Sequence, residues 1–382
     1  MTTHRTRLRR TVGALLVGLA VTVGPATAAT ARSALTTDTR LALPAPTGPR
    51  RVGVETLHLV DPHRTDPWVP SSGPRQLMVT MRYPATAGPP RSGPPARYVT
   101  PTESAAFLAA QHVTGVPPDA LSHTRTYGTV GASPLPGRRP LVVLSPGFSL
   151  PASSLTALAE DLASQGYVVA AVDHTYESVA TTFPDGHVTD CVACSTTDGA
   201  KIARGRVADL RFVLDRLTGR HPAWRYADRI DPTRIATAGH SIGGAAASAT
   251  MVADRRVDAG VNLDGTPQIP LPASGLSRPF LMVGAAENHV PGADRKWDTE
   301  WSRLTGWRRW LTVTGSAHFT FTDYPLLADQ LGIPPVSSVP GARSVRITRA
   351  YVSAFLREHL RGAPDPLLAG PSPTYPEVVF QP

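Results

Sequence analysis

The chain has 382 residues, 41% of them hydrophobic, a formal charge of +9 and two cysteines. That length and apolar content can bury a full core, so one large domain is feasible although length alone would suggest two. Arginines are interspersed with acids rather than clustered, which describes a solvated surface and argues against the basic stripe that nucleic-acid binding requires.

Residues 1–31 have the parts of a secretory signal. Arg5, Arg7, Arg9 and Arg10 precede the apolar run Val12 to Val23, and Ala26-Thr27-Ala28 or Ala29-Thr30-Ala31 offers a small-residue cleavage site. The apolar run is 12 residues, short of the roughly 20 that a membrane span needs, and no later stretch is long enough either. We expect removal of this segment and export by the general or the twin-arginine route; Arg9-Arg10 allows the second, although Thr11-Val12-Gly13 matches it poorly. Losing the four arginines lowers the formal charge from +9 to +5.

Residues 32–50, rich in Pro, Thr and Ala, read as a loose leader, and 51–382 as a single domain. Arg51 to Val60 and Gln76 to Tyr83 alternate apolar and polar residues across a Pro-rich turn, which predicts a hairpin-like pair of half-buried strands. Residues 85–137 hold many prolines and one helical piece, Thr102 to His112, so a surface excursion is expected there. Leu141 to Leu144 (LVVL) is a continuously apolar strand, followed by a helix from Ser153 to Gln165 and a second buried strand, Tyr167 to Val172; this spacing indicates a parallel unit. The polar segment 173–199 reads as a second excursion. Its Cys191 and Cys194 are expected to form a local disulfide after export. A redox motif would need a helix N-terminus in a thioredoxin-like unit, and a zinc site would need two more ligands, of which only His187 is near. Lys201 to Leu217 has helical periodicity. Arg234 to Ala238, Ala259 to Leu263, Pro279 to Val283 and Arg309 to Thr314 are short strand candidates, and Ala342 to Leu360 is a closing amphipathic helix. The sum is a mostly parallel sheet of about eight strands with helices on both faces, the α/β-hydrolase layout.

Within that order, Gly239-His240-Ser241-Ile242-Gly243 stands between a strand and a run of small helix-compatible residues. This is G-x-S-x-G, a sharp corner that leaves a serine hydroxyl exposed; side chains two positions before or after the serine would collide with their neighbours. Ser241 is therefore the candidate nucleophile. A serine needs a base, and His318 in GSAHF lies just beyond the last predicted strand, where parallel sheets place their sites. His174, His289, His240 and His359 are weaker rivals. Asp264 in NLDG and Glu287 in GAAEN both follow strands and are the alternatives for the acid that orients the base; Asp264 is preferred because it ends its strand immediately and keeps the order Ser, Asp, His. The amides of Ile242, directly after the nucleophile, and Phe148, after Pro146-Gly147, are the expected oxyanion donors. No metal or organic cofactor is required. Phe319, Phe321, Trp297, Trp301 and Trp307 are candidates for an acyl pocket or a lipid-contacting set, or for ordinary core.

SPGF before the first helix, GHSIGG, NLDG and GSAHFTFTD, together with VGVETLHLVDPHRTDPW, QLMVTMRYPA and YPEVVF, make residues 50 to 380 resemble the plasma-type platelet-activating factor acetylhydrolase group of α/β-hydrolases, with its bacterial lipase-like members. The resemblance implies that the acid is Asp264 and that the substrates are carboxylic esters with short or modest acyl chains, including lipids, met in part at lipid aggregates. Ser145-Pro146 stands where these enzymes often carry a histidine before the glycine, and the Cys191 to Cys194 loop is not a family feature. Rival functions on the same residues are a secreted peptidase, an acyltransferase, a polyester hydrolase, or a non-catalytic binding protein on a hydrolase scaffold.

Overall fold

The described chain enters its sheet through a long hairpin. In the computed structural model, which describes residues 41–86 and 93–382, β1 (Arg51–Thr65) and β2 (Pro74–Ala85) pair antiparallel from Arg51 opposite Ala85 to Asp61 opposite Arg75. Helix α1 (Pro101–Ala110) follows, opened by a capping box in which Thr100 and Glu103 satisfy each other's backbone N–H groups. Then come β3 (Gly128–Val130), β4 (Arg139–Ser145), α2 (Thr156–Gln165) and β5 (Val168–His174). A two-stranded ribbon, β6 (Thr181–Thr182) with β7 (Val188–Thr189), precedes the Cys191–Cys194 disulfide, which is formed. The rest alternates: α3 (Gly199–Thr218), β8 (Ile230–His240), α4 (Ile242–Ala253), β9 (Ala259–Leu263), β10 (Phe280–Ala285), α5 (Arg295–Arg303), β11 (Arg308–Val313), α6 (Tyr324–Gln330), α7 (Gly341–Arg361) and β12 (Val378–Phe380).

The main sheet runs β12-β11-β10-β9-β8-β4-β5-β2-β1-β3. It has 10 strands rather than the expected eight, because β3 and β12 are edge strands of three residues each, too short to show a period in the sequence. The six strands from β11 to β5 are mutually parallel. This is the α/β-hydrolase fold. β4 shows why LVVL has no polar position: Val142 and Leu144 pack with α2 and α7, while Leu141 and Val143 pack with α3 and α4 on the other face. Parallel strands all end at one edge, and that edge carries the loops after Ser145, His240, Leu263, Ala285 and Val313.

The signal segment lies outside the described residues, as does the leader up to residue 40. From Leu41 onward the expected loose leader is instead packed: Leu41 and Leu43 are buried beside Leu326, Leu327 and Leu331, and Ala42 exchanges hydrogen bonds with the Gln330 side chain. The excursion 85–137 packs into the same cluster through Tyr98, Phe107 and Leu121. Among the described residues no helix is long and apolar enough to cross a membrane.

Buried Asp323 ties the segment after His318 to α2 by accepting the Ala157 N–H, while burial pushes its pKa up to about 7. Asp173, half-buried and accepting the Ala152 N–H, is likewise pushed up to about 7. A carboxyl raised in the folded state favours folding below its unfolded value and loses that contribution as the pH rises through the folded value. The contribution of these two carboxyls to the unfolding free energy should therefore fall between about pH 4 and 7, and in urea titrations the difference between Asp323→Asn and wild type should change across that window.

Candidate active site

β8 ends and α4 begins with a single residue between them, Ser241, held at φ 55° and ψ −129°. A side chain rarely adopts that conformation, and the surrounding backbone enforces it: Ser241 N–H donates to the Leu263 carbonyl at 2.8 Å and Ser241 C=O accepts from Ala245 N–H at 2.9 Å. A Cβ on either Gly239 or Gly243 would lie inside the Ser145 carbonyl oxygen, so the glycines two positions either side of the serine are required by close approach of β4.

Ser241 Oγ is 3.0 Å from His318 Nε2, and His318 Nδ1 is 2.6 Å from Asp264 Oδ2. The three residues come from the ends of β8, β9 and β11. His318 is 44% exposed at its side chain and Asp264 is sealed. The NLDG turn is stapled from within: Asn262 Nδ2 donates to Gly265 O at 2.7 Å and Gly265 N–H donates to Asn262 Oδ1 at 2.8 Å, while Asp264 adopts φ 60°, which aspartate tolerates. Glu287, the alternative acid, is exposed on the loop after β10.

Asp264 serves two histidines. Its Oδ1 accepts from Ala285 N–H and pairs with His289 Nδ1, both at 2.6 Å. Burial works against the charge of Asp264, but the hydrogen bonds to His289 and His318 outweigh it and hold the carboxyl below the usual range. His289 is itself buried, stacked on Trp297 at 4.0 Å, with Nε2 facing Thr266 Oγ1 at 3.2 Å and Asp294 Oδ2 at 3.5 Å. His289, a rival base by sequence, is a second partner of Asp264. Its position, four residues past the end of β10 on the same sheet edge, was the available signal.

His240 faces away from the serine. Burial lowers its pKa to about 3, so it is neutral, and Nε2–H donates to the His318 carbonyl at 2.8 Å, bracing the loop that carries the base. His174 is buried between Ser145 and Asp209, and His359 packs on Trp307.

A cleft of about 620 Å³ opens over these residues, lined by Phe148 and Ile242 beside Ser241 and His318. Ile242 is the first residue of α4, so its N–H has no intrahelical acceptor and sits at the positive end of the helix dipole. The cleft lining also includes the polar Thr196, Thr197, Gln268, Asn288 and Asp294 and the apolar Ile202 and Ala293. Of the aromatic set, Trp297 and Phe321 are buried, Trp301 packs on Trp310 and Trp307 on Phe355. Phe319 lines an apolar cavity with Phe107, Leu331 and Ile333. Among the described residues no group of His, Cys, Asp and Glu is arranged to hold a metal ion.

Fold and sheet-edge site together define an α/β-hydrolase. The family model described as platelet-activating factor acetylhydrolase, isoform II, matches residues 129–203 and 213–363, and the chain belongs to that family. A probable 1-alkyl-2-acetylglycerophosphocholine esterase from Arthroderma benhamiae is 29% identical over 88% of this chain and 93% of its own length. A platelet-activating factor acetylhydrolase from Cavia porcellus is 24% identical over 58% of this chain and 57% of its own. Among solved structures, a ferulic acid esterase from Streptomyces cinnamoneus is 46% identical, with a TM-score of 0.82 over 90% of this chain and 100% of that one.

His289→Ala should cost a charge-assisted hydrogen bond to Asp264, worth about 1.5 kcal/mol or more, and lower kcat by about tenfold. Steady-state kinetics on a soluble ester, beside a thermal melt, checks this.

Proposed function

We propose that this chain, an ester hydrolase by family, is secreted and cleaves carboxylic esters with Ser241 as nucleophile. The carrying observation is the hydrogen-bonded chain from Ser241 through His318 to Asp264, opening on a cleft bordered by two backbone amides. In this reading His318 takes the serine proton as Oγ attacks the ester carbonyl. Asp264 stabilises the resulting imidazolium, and Phe148 N–H and Ile242 N–H receive the charge that develops on the carbonyl oxygen. His318 then protonates the departing alkoxide. Water, activated by the same histidine, releases the acid from the acyl-enzyme.

The names of two relatives support two substrate classes: 1-alkyl-2-acetylglycerophosphocholine for the Arthroderma protein and ferulic acid esters for the Streptomyces structure. Secretion rests on the signal-like residues 1–31 and agrees with the formed Cys191–Cys194 disulfide, a bond of oxidising compartments.

Hydrolysis of p-nitrophenyl esters from acetate to palmitate, of methyl ferulate and of a 1-alkyl-2-acetyl phospholipid by the mature chain tests this reading. Ser241→Ala should abolish turnover, and Asp264→Asn should lower kcat by about 10⁴-fold. An optimum at acetate or butyrate would fit the family; equal inertness of wild type and Ser241→Ala on every ester would defeat the proposal in favour of a peptidase or binding role.

A further inference from the structure

Behind the cleft lies a second, closed serine–histidine–aspartate chain. Ser145 Oγ is 2.9 Å from His174 Nε2, and His174 Nδ1 is 2.9 Å from Asp209 Oδ2. All three are buried, so no substrate reaches Ser145. Asp209 is locked as a carboxylate: burial opposes its charge, but Arg75 donates to both its oxygens at 3.2 and 2.7 Å and Arg64 adds a third bond at 2.9 Å. A carboxylate only accepts, so His174 donates from Nδ1 and its Nε2 accepts from the Ser145 hydroxyl. The Ser145 oxygen is thereby turned toward its remaining partner, Arg206 Nη1, at 3.2 Å.

Arg206 is 1% exposed, on α3, with Nε donating to buried Glu177 at 2.8 Å. Its other nitrogens grip the loop after β4: Nη1 donates to the Pro146 carbonyl and Nη2 to the Gly147 carbonyl, the latter at 3.3 Å. The Gly147 carbonyl and the Phe148 N–H belong to one planar trans peptide and point in opposite directions. Fixing the oxygen toward Arg206 therefore aims the N–H the other way, toward the cleft that Phe148 borders. From the far side Glu177 holds the same loop, its carbonyl accepting Ser149 N–H at 2.9 Å where Ser149 stands at φ 64°.

We propose that Arg206, oriented by Glu177 and by the Ser145–His174–Asp209 chain, is a positioning residue for the oxyanion site, setting the Gly147–Phe148 peptide plane. The inference rests on the reading of Ser241 as nucleophile and Phe148 N–H as oxyanion donor. It assigns the buried charges a role in rate, beyond any role in folding. Burying ionic groups is seldom a gain in stability over apolar packing, whereas a guanidinium can hold two carbonyls at once.

The test uses the mature enzyme, with competent sites counted by titration with diethyl p-nitrophenyl phosphate. Arg206→Lys keeps the charge but loses the fork; the pair Arg206→Gln with Glu177→Gln removes both charges and leaves neither orphaned; Ser145→Ala loosens the grip while keeping Arg206. For p-nitrophenyl butyrate, we expect kcat per titrated site to fall about 10²-fold in the charge-free pair and less in Ser145→Ala, with KM nearly constant, since a donor lost from an oxyanion site acts on the transition state. Affinity for an alkyl trifluoromethyl ketone, whose adduct carries the oxyanion, should fall by the same factor. If the variants yield fewer titratable sites or lower melting temperatures but turn over at the wild-type rate per site, Arg206 is a brace for the fold and the inference fails. A change confined to KM would also overturn it. Retained activity in Ser241→Ala would instead sink the nucleophile reading itself, so the two failures are told apart.

Discussion

A carboxylate shut away from water must have its lone pairs filled, and the site is arranged around meeting that demand at Asp264. One oxygen takes the Ala285 amide and His289; the other takes His318. Each partner fixes an element: Ala285 ends β10, His289 anchors the loop beyond it through Trp297, and His318 belongs to the loop after β11. The turn that holds Asp264 also receives Ser241 N–H at the Leu263 carbonyl, so Ser241 and Asp264 are tied through the backbone while His318 joins them through its side chain. Charge compensation within a dry interior is much stronger than in water, so geometry here is set by electrostatics as much as by packing.

The molecule contains two hydrogen-bonded Ser-His-Asp chains that differ in access and in what lies beyond the serine. Beyond Ser241 is the cleft; beyond Ser145 is a guanidinium. In the buried chain the histidine is disfavoured as a cation by burial and by the adjacent charge of Arg206. It cannot act as a base toward anything entering from solvent. Residue types in the right order therefore do not by themselves make a reactive centre; solvent access and the sign of the neighbouring charge decide.

Much of this was legible beforehand, and the limits have physical causes. The strands of the sheet centre showed because burial on both faces removes polar positions, and the elbow showed because close approach demands glycine. Asp264, His318 and Phe148, singled out for their places at strand ends, are brought around Ser241. Two edge strands escaped because three residues carry no period, and α5, RKWDTEWSR, because its polar stretches hide the buried Trp297. Residues 41–50 looked like a leader because composition does not reveal that Leu41 and Leu43 have a hydrophobic partner nearly 290 residues away. The aromatic set near the acid and base was mostly core, as sequence proximity carries no direction. Arg206 and Asp209 were present as a signal: both fall on the stripe of α3 that also carries Ile202, Leu210 and Val213, where a solvated charge has no place.

The contact between Ala42 and Gln330 spans 288 residues of sequence, and Arg349 reaches the Pro44 and Ala45 carbonyls across more than 300. During synthesis β8 and the loop after β4 exist well before His318 has been made, and the segment beyond His318 is clasped only when α6 and α7 meet the first described residues. His318 thus joins Ser241 at the end of chain assembly, after long loops have been closed at entropic cost. The hydrogen bond between Ser241 and His318 is a property of the finished chain, and a nascent or truncated product carries Ser241 without it.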